Sequence, residues 1–61
     1  MKTSIYINKK VKNPDVTKES PNYIGTIIEH KKMYRGLNIY NIKFRDFEEW
    51  WNLSYVKMNL L

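Results

Sequence analysis

The residues best equipped for chemistry in this 61-residue chain are cations interleaved with aromatics. His30-Lys31-Lys32-Met33-Tyr34-Arg35-Gly36 sets three cations around a tyrosine, and Lys43 and Arg45 follow on the next alternating segment. Lysine and arginine neutralise phosphates and release condensed counterions, while an aromatic ring takes a stacked base worth about 1–3 kcal/mol. The expected nucleic-acid contacts are therefore Lys31, Lys32, Tyr34, Arg35, Lys43 and Arg45. A second group, Trp51 and Tyr55 with the acidic residues Asp46, Glu48 and Glu49, has the composition of a protein-binding patch, in which aromatic anchors carry most of the energy.

Catalytic chemistry lacks its components. There is one histidine and no cysteine, so neither a cysteine nucleophile nor a zinc cluster can be assembled. Ser4, Ser20 and Ser54 have no base at a readable spacing, and no glycine-rich phosphate loop occurs. Glu48 and Glu49 are adjacent, which in a strand puts them on opposite faces rather than in an acid–base pair. The expectation is a non-enzyme that needs no cofactor or metal.

The net charge is +5. The abundance of lysine, asparagine and isoleucine, with no alanine or glutamine, reads as the translation of AT-rich codons, so the total charge says less than its distribution. Residues 1–45 carry ten basic and three acidic side chains, whereas residues 46–61 carry one basic and three acidic. The chain is electrically two-sided. A chain this short buries only about 60% of the surface it exposes when unfolded, so a single domain over residues 1–61 with a thin core is expected, stabilised by aromatics and isoleucines or by self-association. Neither a spanning segment nor a leader-like N-terminus is visible, which points to a cytoplasmic setting without membrane contact.

The elements that must position these residues are read from alternation. Thr3 to Asn8 alternates around Ile5 and Ile7 and predicts a first strand. Lys9 to Asn22, with two proline turns, has the composition of a long mobile loop, and Lys9, Lys10 and Lys12 form a flexible basic arm on it. Tyr23 to Lys31 predicts a second strand with Ile24, Ile27 and Ile28 as core and Gly25 at a bulge or bend. A hairpin at residues 32–36 leads to a third strand, Asn38 to Phe44, in which Tyr40, Ile42 and Phe44 share the core face. The last segment has two readings. As a helix, Phe47, Trp50, Trp51, Tyr55 and Met58 make one apolar stripe with Asp46 and Glu49 as a capping box. As β-structure, residues 49–51 make a fourth strand, residues 52–54 a tight turn, and Tyr55 to Asn59 a fifth strand.

Tyr40-x-Ile42-x-Phe44 followed by Glu48-Glu49-Trp50-Trp51-Asn52-Leu53-Ser54-x-Val56 resembles the closing half of Tudor and chromo-barrel domains, over about residues 23–58. The resemblance implies a mainly β, five-stranded SH3-like barrel with Trp50 as its structural tryptophan and Trp51 turned outward. It also implies that Phe44 and Phe47 line an aromatic cage for methylated side chains, although the connection between them is shorter than the family's. The competing fold is a three-stranded antiparallel sheet plus one C-terminal helix over residues 46–60.

Two functions follow as expectations. One is a binding module for nucleic acid, acting through the basic hairpin. The other rests on the chain's likeness to small accessory proteins of bacteriophages and plasmids: a module that binds a host protein, to inhibit or redirect it, through Trp51, Tyr55 and the acidic edge. A free sheet edge would also allow a homodimer.

Overall fold

The computed structural model describes residues 4–61, and its organising unit is one four-stranded antiparallel sheet in the order β1-β2-β3-β4. The strands are β1 (Lys10–Lys12), β2 (Ile24–Lys32), β3 (Asn38–Lys43) and β4 (Glu48–Asn52); a 3-10 turn, Tyr34–Gly36, joins β2 to β3, and helix α1 (Leu53–Asn59) follows β4. The fold is thus mainly β with a C-terminal helix, and residues 55–59, expected as a closing strand, are helical. The reason is local. Asn52 leaves β4 in an extended conformation and its side-chain oxygen accepts the Tyr55 N–H at 2.9 Å, an N-cap that starts the helix six residues later than the Asp46 start predicted. The helix ends by returning the chain to β1: Leu60 bridges Val11, and the Leu61 N–H donates to the Lys10 carbonyl at 3.0 Å.

Two further expectations are corrected. Residues 5–8 form turns rather than a first strand, closed by the Ile7 N–H donating to the Ser4 carbonyl; Thr3 lies outside the described residues. The first strand is instead Lys10–Lys12, inside the segment expected to be a loop, so Lys10 and Lys12 sit on a strand and not on a flexible arm. The rest of that segment is tied down at Asn22, which donates to Asp46 Oδ2 and accepts the Asp46 N–H, both at 2.9 Å.

The core is Val11, Ile27, Tyr40, Ile42, Phe44, Trp51 and Val56. Tyr40, Ile42 and Phe44 share the inner face as alternation required, but Ile24 and Ile28 are exposed. Ile28 is displaced by a register shift between Ile27 and Glu29, so the bulge lies past Gly25 rather than at it. Gly25 serves the packing instead: a Cβ there would stand 2.6 Å from the Phe44 ring and 2.7 Å from Ile42 Cγ2, so the absent side chain is the space into which Phe44 packs. Among the described residues no helix is long and apolar enough to cross a membrane.

Candidate nucleic-acid interface

Side chains directly opposite one another in neighbouring strands share a face, so the register assigns the outer surface row by row. Lys31 stands in a row with Ile39 and Asn52; Glu29 with Asn41 and Trp50; Lys10 and Thr26 with Lys43 and Glu48; and Lys12 with Ile24. The outer face therefore presents Lys10, Lys12, Lys31 and Lys43 together with Glu29, Glu48 and one tryptophan, Trp50, which is 43% exposed; Lys10 and Lys12 lie on β1, at the opposite edge of the sheet from Trp50. Lys31 crosses β3 to place its Nζ 5.4 Å from the centre of the Trp50 ring. The attraction between the ammonium and the ring face holds the indole flat against a cation, with about 0.5–1 kcal/mol expected at an exposed site. Beneath them Asn41 is buried; its amide nitrogen donates to Glu48 Oε1 at 2.9 Å, while its oxygen has no partner.

The hairpin tip adds a second cation–aromatic pair. Tyr34 is 86% exposed, with the Arg35 guanidinium 5.9 Å from its ring centre. Arg35 adopts a left-handed backbone conformation (φ 65°) next to Gly36 (φ 77°), which a glycine tolerates and an arginine holds at a cost of about 1–2 kcal/mol. Lys32, opposite Asn38, completes the tip. Among the described residues no carboxylate lies within ion-pair distance of Lys31, Lys32 or Arg35.

The six predicted nucleic-acid residues are not one cluster. Lys43 and Arg45 lie at the far end of β3, about 20 Å from the tip at roughly 3.4 Å per residue. Each already has a carboxylate nearby: Lys43 Nζ is 3.9 Å from Glu48, and Arg45 Nε is 3.8 Å from Asp46. Lys43 still belongs to the outer face, whereas Arg45 is part of a turn.

The predicted protein-binding set fares differently. Trp51, expected to point outward, is 5% exposed and packs against Phe44 and Tyr55, with ring centres 5.8 and 4.7 Å away. The outward residue is Trp50, the reverse of what the resemblance implied. Tyr55 is half-buried beneath this contact. Glu49 accepts from the Trp51 indole N–H at 2.8 Å, Glu48 from Asn41, and Asp46 from Asn22, so the acidic edge is occupied with holding the fold. Phe44 is buried against Phe47 with ring centres 4.9 Å apart, which removes it as a wall of an open aromatic cage. His30, half-buried, stacks on Tyr40 at 4.8 Å and hydrogen-bonds Asn38 through Nε2 at 2.8 Å, so it serves the hairpin.

Trp50 was the residue missed, although its direction was encoded. Phe44 and Phe47 close a hairpin through Arg45 and Asp46, with the Phe44 N–H donating to the Phe47 carbonyl at 2.8 Å. Counting back from that closure pairs Tyr40 with Trp51, which puts Trp51 on the core face and Trp50 outside. No family model, no curated protein and no solved structure matches this chain.

Proposed function

We propose that the protein is a non-catalytic module that binds single-stranded nucleic acid across the outer face of its sheet and the β2–β3 tip. The observation that carries this reading is the half-exposed Trp50 with Lys31 over its ring, on a face that also bears Lys10, Lys12 and Lys43. Backbone phosphates meet the lysines, and an unstacked base lies on the indole, an interaction that tolerates any base because each has a π-face. Duplexes keep their bases stacked and offer the tryptophan nothing, so single strands are preferred. Tyr34 and Arg35 extend the same chemistry at the tip. An SH3-like architecture is consistent with this surface: the return of Leu60 to Val11 after a short helix supports it, since it places the chain end where a closing strand would lie.

The test is a salt titration of affinity for fluorescent homopolymeric DNA and RNA strands. Affinity is expected to fall log-linearly with salt, with a slope of about 0.7 per phosphate contacted. It is also expected to drop on Trp50→Ala while the fold, read by circular dichroism, is kept. Salt-independent binding, or binding indifferent to both Trp50→Ala and the Lys31, Lys32, Arg35→Ala triple, would refute it.

A further inference from the structure

The β2–β3 tip carries exposed apolar side chains that strand binding leaves without a role: Met33 is 43% exposed and Leu37 53%, on either side of the still more open Tyr34. The Met33 N–H donates to the Leu37 carbonyl, so these two side chains lie opposite one another, on the face that bears the Lys31 and Ile39 row. Among the described residues neither flanking strand runs beside them. β1 pairs with β2 as far as Thr26, Asn8 and Lys9 extend that contact only to Ile27, and β4 stops at Asn52, opposite Ile39. Residues 32–38 therefore project beyond the sheet as a two-stranded finger, open on both faces. Cations frame its apolar end. Lys31 and Lys32 stand behind Met33, Arg35 lies beside Tyr34, and residues 31–38 include no carboxylate; the nearest along the chain is Glu29.

We infer that this finger is a peripheral membrane contact, which lowers Met33, Leu37 and the Tyr34 ring into the interface of a bilayer carrying anionic phospholipid. Aliphatic side chains leave water for the acyl boundary, a tyrosine settles at headgroup level with its hydroxyl wet, and cations draw the surface in by its phosphates. All three components meet at one end of the molecule. Lys31, Lys32 and Arg35 have no carboxylate within ion-pair distance among the described residues, so their charge is free for lipid phosphate. Lysine stems can follow the apolar surface while their ammonium groups reach back to the headgroups. Charge also sets the orientation. Asp46 and Glu48 lie at the other end of β3, about 20 Å from the tip and so beyond the roughly 8 Å over which an anionic surface would repel them at physiological salt. A protein partner would need a cleft both apolar and ringed with acid to clasp a finger open on both faces; a bilayer supplies both around its whole girth. The contact needs no spanning segment. It rests on the tip alone and not on Trp50.

The experiment is co-sedimentation of the full chain with vesicles of phosphatidylcholine alone and of equimolar phosphatidylcholine and phosphatidylglycerol. The chain is expected to pellet with the anionic vesicles and to stay in solution with the zwitterionic ones. Met33→Ser with Leu37→Ser, at two exposed positions, is expected to keep the circular dichroism spectrum and lower vesicle affinity about tenfold or more, through the apolar surface it withdraws. The same variant is expected to bind single strands as wild type does. A second arm keeps the tip's aliphatic pair intact, using single cysteines in a protein that otherwise has none. A polarity-sensitive dye on Tyr34→Cys is expected to shift to the blue on anionic vesicles, and the same dye on Arg45→Cys, at the far end of β3, is expected not to shift. A chain that ignores anionic vesicles overturns the inference and leaves the tip to a protein partner. So does vesicle binding unchanged by the Met33, Leu37→Ser pair, which would make the contact one of charge without insertion, and so does an equal shift at the two dye positions. Vesicle binding and strand binding are read separately, so either can fail alone.

Discussion

Trp50 and Trp51 are neighbours in one strand, and the sheet gives them opposite roles. On the inner face Trp51 joins Phe44, Tyr55 and Val56 in a core with no surplus, its indole N–H held by Glu49. On the outer face Trp50 stands half in water with a lysine over it. The difference is not one of residue type. It comes from which side of a pleated strand each Cα–Cβ bond leaves, and it separates the residues that hold this protein together from those free to bind something else.

The largest effect is expected where the inner face is emptied. Trp51→Ala should cost about 3–5 kcal/mol, enough to leave so small a domain largely unfolded at room temperature, with loss of the cooperative urea or thermal transition. If that variant melts like wild type, the assignment of the two faces is wrong. Next comes Gly25→Ala, which adds a Cβ 2.6 Å from the Phe44 ring and should destabilise by about 1–3 kcal/mol through overpacking, seen as a lower urea midpoint at unchanged m-value.

The outer face should answer differently. Trp50→Ala is expected to keep the fold while weakening single-strand binding by about 1–3 kcal/mol, the worth of one stacked base, measured by fluorescence anisotropy. A loss of stability matching that of Trp51→Ala would erase the contrast between the faces. A finer comparison sets the two ends of β3 against each other. Lys31, Lys32 and Arg35→Ala together should lower the salt slope of binding by about 2, whereas Arg45→Ala should leave it unchanged, because Arg45 sits in a turn beside Asp46. The smallest effect is expected at the tip: Arg35→Gly relieves a left-handed arginine, raising stability by up to about 1 kcal/mol in chemical denaturation while weakening binding slightly through the lost charge.

Much of the β framework was legible in the chain. The Ile24–Lys32 and Asn38–Lys43 strands emerge from alternation and the turn between them, and Tyr40, Ile42 and Phe44 are core because they recur every second residue. What misled was length. Lys10–Lys12 is only three residues, too short to show a period, and it becomes a strand because β2 offers it an edge and Leu60 closes the other side. The apolar stripe from Phe47 to Met58 has helical spacing, yet β3 claims its first half as β4, and only the part after the Asn52 cap is helix. Of the candidate site, the cations at the β2–β3 tip were visible as a cluster in sequence. The acidic edge was visible too, but its engagement with Asn22, Asn41 and Trp51 was not, because these contacts join residues that only the folded sheet brings together.

The sequence by itself determined that this is a small, basic, cysteine-free chain with β-forming segments and an aromatic-rich C-terminal third. Tertiary structure decided which tryptophan is core and which is surface, and which lysines share a face. It also decided that, among the described residues, Leu60 bridges to β1 while β4 pairs with β3 alone. The physical reason is register: strand side chains alternate with a period of two, so a single pairing, fixed by the Phe44–Phe47 closure, sends every residue of β4 to one side or the other.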